Sequence, residues 1–345
     1  MRAAVFHEPH RVEAGDRPDA SLREPTDAVV RVALACVCGT DLWFYRGDSP
    51  FKPGPIGHEF IGVVEDVGAE VQQISKGDLV IAAFMYCDNT CPHCRHGITS
   101  ACVNGGIYPT NGDGGQGEAV RVPLADGALV RVPGSGHSDE TLASLLALSD
   151  VMSTGHHAAV CADVRPGATV AVVGDGAVGL SGVLAAKRLG AERIFALSRH
   201  PDRQALATEF GATDIVEHRG EEAIEAVMEL TDGVGVDATL ECVGTGQSFE
   251  TAVAIARPGS MVGCVGLPHG VELPISQLFS RNKGIRGGFA PARAYIPELL
   301  ADVLDGRINP GRVLDYATDL QGIADAYAAM DERRAIKSLV RVGTI

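Results

Sequence analysis

From residue 169 onward, short apolar runs alternate with amphipathic stretches: TVAVVG, AVGLSGVLAAKRLGA, RIFALS, DRQALATEFGA, DIVEH, EEAIEAVMELT, VDATLEC, SFETAVAIA and SMVGCVGL. The short runs are apolar on both faces, as buried strands are, and the stretches between them carry one apolar stripe, as covering helices do. Strands alternating with helices predict a doubly wound parallel sheet, an α/β fold. Upstream the pattern is more strand-like. GHEFIGVV (57–64) turns through Gly-His-Glu into an apolar strand, and the Gly-rich NGGIYPTNGDGGQGEAVRVP (104–123) reads as a surface excursion entering the strand EAVRVP, because no helical pattern follows it. After residue 290, YIPELLADVLDGRINP and IADAYAAMDERRAIKSLVRV read as helices and a last strand, with no internal repeat or disordered tract anywhere.

Composition narrows the function classes. The chain has 345 residues and is 46% hydrophobic, enough for two domains with a core each. Its start, MRAAVFHEPHRVEAGD, lacks the apolar core of a signal peptide, and no apolar run reaches the roughly eighteen residues of a membrane span. A cytoplasmic protein without a membrane partner is expected. The net charge of −15 argues against nucleic acid, whose phosphates call for a basic face, and favours an enzyme of small molecules.

In a reducing compartment, clustered cysteines suggest metal ligation or redox chemistry rather than disulfides. The segment CDNTCPHCRHGITSAC (87–102) holds Cys87, Cys91, Cys94 and Cys102 among turn-forming and polar residues. Such short loops suit the corners of one tetrahedral zinc ion. Four thiolates leave no open position, so this ion would brace a loop and the chemistry would lie elsewhere. His93 and His96 are read as surface residues.

Further upstream stand CVCGTDL (36–42) and the GHE of residues 57–59. Alone, Cys38 reads as a small core residue and His58 as a hydrogen-bonded structural histidine. Downstream, GDGAVG puts Gly174, Gly176 and Gly179 between the first strand and first helix of the alternating region, where glycines let the backbone approach a pyrophosphate seated on the helix N-terminus. Cysteine lobe, Cys-x-Thr-Asp, Gly-His-Glu and nucleotide loop together resemble the zinc-dependent medium-chain alcohol dehydrogenase/reductase family, over essentially the whole chain.

The resemblance implies a GroES-like β-rich catalytic domain over residues 1–150, carrying the zinc lobe 87–102, a Rossmann coenzyme domain over 151–290, and a return to the catalytic domain over 291–345. It implies a catalytic zinc on Cys38, His58 and Asp150, the last from LSDVMSTGHHAA (148–159), with one position open for a substrate oxygen. The alternative for Asp150 is a helix N-cap beside Ser149. Hydride leaves an alcohol carbon most easily when the oxygen carries negative charge, which a Lewis acid stabilises. Thr40 is placed to relay the alcohol proton, Asp41 to orient His58, and Glu59 to serve as a supporting partner or an occasional ligand. Many relatives carry a histidine five residues after the cysteine ligand. Here that residue is Trp43, so the relay ends differently and Trp43 is a candidate pocket wall, with Tyr45 and Phe289. The first lobe spacing is also longer by one than the family's, which leaves Asp88 as a substitute for Cys87.

The implied activity is hydride transfer between an alcohol, or its aldehyde or ketone, and a nicotinamide coenzyme, with two zinc ions per chain and a homo-oligomer, dimer or tetramer. The rival readings are a zinc-free quinone or enone reductase and a non-catalytic coenzyme-binding protein on the same scaffold. NAD-specific domains place an acidic residue about twenty positions past the glycine loop, at the ribose 2′-hydroxyl. Nineteen residues beyond Gly179 stands Ser198, followed by Arg199 and then Arg203. A small hydroxyl and guanidinium groups suit a 2′-phosphate, so NADP is expected, with NAD possible and Asp202 the nearest opposing charge.

Overall fold

The computed structural model describes residues 1–109 and 113–345, in two compact units: residues 1–150 with 291–345, and residues 151–290.

The first unit is built on an antiparallel sheet around Ala28–Cys36 (β1), whose run AVVRVALAC is buried almost end to end. Helix α1, Gly39–Arg46, follows at once. Phe60–Val67 (β2), Leu79–Ala82 (β3), Ala119–Val122 (β4) and Leu129–Arg131 (β5) complete the N-terminal portion, with β2 and β4 both pairing β1 and β3 lying between β2 and β5. Val30, Val32, Phe60, Val64, Val80 and Tyr108 fill the core on one face of this sheet. Of the Gly-rich stretch expected as a surface excursion, residues 110–112 lie outside the described residues. Residues 113–117 are buried. The amide of Gly115 donates to the Gly57 carbonyl at 2.8 Å, and a Cβ on Gly57, whose φ is +87°, would lie 2.4 Å from the Gln116 side chain. The glycines therefore serve close packing beside the GHE turn, which periodicity cannot reveal.

The second unit is a six-stranded, all-parallel sheet. Thr169–Val173 (β6), Arg193–Leu197 (β7), Asp214–Val216 (β8), Val236–Glu241 (β9), Ala256–Cys264 (β10) and Gly284–Gly287 (β11) lie in the order β8-β7-β6-β9-β10-β11. The order reverses between β6 and β9, and in doubly wound sheets the crevice at such a point receives the ligand. Helices α2, Ala177–Arg188, and α3, Pro201–Phe210, follow β6 and β7. The pattern foresaw every strand but β11, whose sequence GIRG lacks apolar alternation and sits at the sheet edge.

The returning segment adds two strands to the first unit. Tyr316–Asp319 (β12) pairs in parallel with Ser338–Arg341 (β13), and β13 pairs antiparallel with β1. Only the last was legible as a strand; β12 is polar at alternate positions and half-exposed.

Candidate metal and coenzyme sites

Cys38 caps α1. Its sulfur accepts from the Thr40 amide at 3.4 Å while the Asp41 carboxylate returns to the Cys38 amide at 3.0 Å, a reciprocal cap that C-G-T-D is built to form. The GHE turn delivers His58 from the start of β2. Asp150 arrives because the Phe84 amide holds the Ser149 carbonyl at 3.0 Å. It stands directly before the helix Val151–Cys161, so the position of a cap and that of a ligand coincide.

Ligand atoms of Cys38, His58, Glu59 and Asp150 all lie within 4.8 Å of one another, and all four residues are buried. Asp150 Oδ2 is 3.6 Å from Cys38 Sγ and 3.4 Å from His58 Nε2. Donors on a tetrahedral zinc, at their usual bond lengths, lie about 3.3–3.8 Å apart, so both distances from Asp150 match. Glu59 Oε1 is farther, 4.0 Å from His58 Nε2. The other imidazole nitrogen, Nδ1, faces Asp41 Oδ1 at 3.5 Å, which has no closer partner among the described residues. With an ion bound, that arrangement would keep the proton on Nδ1 and leave the Nε2 lone pair for the metal. Burial pushes the Cys38 thiol pKa up, while the nearby His58 pulls the other way. Burial also resists charge on His58, but Cys38, Asp41 and Asp150 outweigh it and lift the imidazole well above its usual range. A buried donor set with excess negative charge suits a divalent cation.

In the lobe, the mutually close group is Asp88, Cys91, Cys94 and Cys102. Cys91 Sγ lies 3.5 Å from Cys94 Sγ and 3.9 Å from Cys102 Sγ. Cys87, expected as the first ligand, packs against Cys91 and Cys94 but is not among the four whose ligand atoms all lie within 4.8 Å of one another. Its thiol donates to the Gly127 carbonyl at 3.1 Å, and burial raises its pKa to about 11. Asp88 folds the turn instead, accepting from the Thr90 and Cys91 amides at 2.8 and 2.9 Å and from Asn104 at 2.7 Å. Backbone N–H groups of Cys94 and Val103 lower Cys91 to about 7, toward the thiolate a metal needs. His93 and His96 are exposed.

In the second unit, Gly174 closes β6 with φ +118°, and a Cβ on Gly179 would lie 2.0 Å from the Gly174 carbonyl oxygen. A Cβ on Gly176 would meet nothing within 4 Å. Gly176 is also the N-cap of α2 and offers no side-chain cap, so the first amides of the helix face an open cradle that fits a pyrophosphate. Ser198 follows β7 and is buried, Arg199 is exposed, and Arg203 is half-buried in the first turn of α3.

Two family models match the chain, "Alcohol dehydrogenase GroES-like domain" over residues 24–134 and "Zinc-binding dehydrogenase" over residues 177–305. A zinc-type alcohol dehydrogenase B of Aspergillus flavus is 31% identical over 99% of this chain and 82% of its own length. The chain belongs to the zinc-dependent medium-chain alcohol dehydrogenases. An NADP-dependent isopropanol dehydrogenase of Thermoanaerobacter brockii is 32% identical over 90% of each chain. The solved alcohol dehydrogenase of Thermus sp. ATN1 superposes with a TM-score of 0.91 at 33% identity, over 99% of this chain and 100% of that one. As a member of this family the chain is an oxidoreductase of alcohols that uses zinc and a nicotinamide coenzyme. No described helix is long and apolar enough to cross a membrane.

The dehydrogenase surrounds its cluster with groups that the sequence did not announce. Lys337, just before β13, is fully buried; its Nζ donates to Glu59 Oε1 at 2.6 Å and to the Val37 carbonyl at 3.1 Å. Burial opposes its charge, yet Cys36 and Glu59 beside it hold its pKa well above the ordinary lysine value. The Cys36 thiol donates to Glu59 Oε2 at 3.3 Å, so both Glu59 oxygens already have partners. Gln116 donates to the Cys36 carbonyl at 3.0 Å and to Asp41 Oδ2 at 3.4 Å, and accepts from the Tyr327 hydroxyl at 2.9 Å. The one signal available for Lys337 was a lone cation in the apolar run AIKSLV. Tyr45, expected at a pocket wall, belongs to the core, its ring centroid 5.4 Å from that of Tyr327 and its side chain buried. Trp43 is half-buried on α1, and Phe289 is exposed on the second unit.

Proposed function

We propose that the protein is an NADP-preferring dehydrogenase of small to medium alcohols, with one catalytic and one structural zinc per chain. The observation that carries this reading is the buried set of Cys38, His58 and Asp150 at ligand spacing, which a zinc-free enone reductase or a non-catalytic relative would not need. A zinc ion held there supplies Lewis acidity toward negative charge developing on the substrate oxygen. The protein's own groups do the rest. Asp41 orients His58 through Nδ1, Thr40 at the first turn of α1 relays the alcohol proton by accepting it as its own hydroxyl proton passes on to solvent, and Lys337 fixes the Glu59 carboxylate behind the cluster. In the lobe, Asp88, Cys91, Cys94 and Cys102 are the proposed ligands, with Cys87 as a packing thiol.

Metal analysis tests the two-zinc reading. Cys94→Ser is expected to lower the zinc count by one ion per chain and to lower the melting temperature, while Cys87→Ser leaves the count unchanged. Loss of an ion from the Cys87 variant, or none from the Cys94 variant, would overturn the ligand assignment.

For the coenzyme, the absence of a carboxylate at Ser198, the cations Arg199 and Arg203, and the relative named NADP-dependent support NADP. Steady-state kinetics with an alcohol panel should give a higher kcat/KM for NADP⁺ than for NAD⁺, and Arg199→Ala should narrow the ratio. A higher value for NAD⁺ would contradict the preference.

A further inference from the structure

The end of β7 carries no acidic side chain, yet a carboxylate is present there. Asp175, between the first two glycines of the loop, is buried, and its Oδ2 accepts from the Ser198 hydroxyl at 2.9 Å. Its Oδ1 lies 3.3 Å from Arg203 Nη1, and the same nitrogen lies 3.4 Å from the Asp175 carbonyl oxygen. In this fold the residue ending the second strand meets the adenosine ribose 2′ position. We infer that Asp175, reaching across from the glycine loop, is the residue that sets the choice between a 2′-hydroxyl and a 2′-phosphate, with Arg203 as its counter-charge. The inference rests on the nicotinamide coenzyme assigned above, but not on which of the two forms is preferred.

The two charges act in opposite directions. A carboxylate touching Ser198 Oγ can accept a hydrogen bond from a ribose 2′-hydroxyl, and it repels a 2′-phosphate at the same place. Arg203 does the reverse, since a guanidinium can meet a phosphate with two parallel hydrogen bonds. Its contacts to Asp175, at 3.3 and 3.4 Å, are long beside the 2.7–2.9 Å usual for charge-assisted bonds, so turning it toward a phosphate forfeits little. Gln204 Nε2 completes the floor, donating to the Ser198 carbonyl at 3.0 Å and contacting Glu217 Oε1 at 3.3 Å. Arg199, exposed beside Ser198, can add to the phosphate side.

The test uses the fragments 2′,5′-ADP and 5′-AMP, which carry the discriminating end of the coenzyme without its reactive end. Binding to the zinc-loaded protein is measured by calorimetry, alongside kcat/KM for both coenzymes. Asp175→Asn keeps the shape and the Ser198 contact but removes the charge. It is expected to tighten 2′,5′-ADP at least about tenfold relative to 5′-AMP and to move the NADP⁺/NAD⁺ ratio the same way. Arg203→Ala should move both measures in the opposite direction, and it remains informative if the Asp175 variant folds poorly. Equal weakening of both fragments by Asp175→Asn would mean that the residue only shapes the loop, and unchanged fragment selectivity in both variants would also overturn the inference. A wild-type preference for NAD⁺ with these shifts intact would overturn the NADP reading alone.

Discussion

Replacing His58 with alanine is expected to abolish turnover, by about 10³-fold or more, while the fold and coenzyme binding persist. His58 Nε2 lies 3.4 Å from Asp150 Oδ2, and with Cys38 it completes the three donors whose spacing suits one ion. Without the imidazole, two donors remain and the Asp41 carboxylate loses the group it faces at 3.5 Å. The coenzyme cradle lies in residues 174–179 of the other unit, built from its own backbone, so it is independent of this side chain. The measurements are kcat with a responsive alcohol, zinc per chain, and coenzyme binding by fluorescence titration. A zinc count reduced by one ion with coenzyme binding retained is the expected pattern. Near-normal kcat in that variant would remove the metal-dependent mechanism.

Lys337→Met should produce the largest loss of stability of any single change considered. The ammonium is 1% exposed and bonded to a fully buried carboxylate and a backbone carbonyl. Removing one member of such a pair leaves the other charged and uncompensated in a dry interior, at a cost of about 3–5 kcal/mol. In a protein of this size that corresponds to a fall of roughly 5 °C in melting temperature. Methionine keeps most of the volume, so the loss would report charge rather than a cavity. The double variant Lys337→Met with Glu59→Gln should recover a large part of it, because the orphaned charge is gone. Thermal melting followed by circular dichroism decides; equal melting temperatures for the wild-type chain and the single variant would mean that Glu59 is neutral or solvated in solution.

Periodicity made the second unit legible because a parallel sheet covered on both faces must be apolar throughout its strands, and its helices must carry a stripe. The edge strand β11 escaped because its sequence GIRG has no apolar run, whereas the opposite edge, β8, keeps the apolar pair Ile215 and Val216. Site chemistry was legible where a few neighbouring residues make the geometry themselves. In C-G-T-D the cap that aims Cys38 is entirely local, and in GDGAVG each glycine answers a steric demand of the same turn.

The amino-acid sequence by itself determined the strand and helix alternation, the donor types, and the places where thiolates and glycines cluster, because these depend on neighbours a few residues away. Tertiary structure alone decided which groups meet. Cys87 and Asp88 are adjacent, and counting cysteines favours the first. Cys87 packs against Cys91 and Cys94, and its thiol donates to the Gly127 carbonyl where Gly127 comes close enough that a Cβ would lie 2.1 Å from the Cys87 carbonyl oxygen; Asp88 shares the close group with the other three cysteines, and no count of cysteines could show either contact. Lys337 reaches Glu59 across 278 residues, and Asp175 reaches Ser198 across 23. An ion pair or hydrogen bond between distant segments leaves no periodicity in either one, since its partner is supplied by the fold and its strength by burial rather than by any local preference.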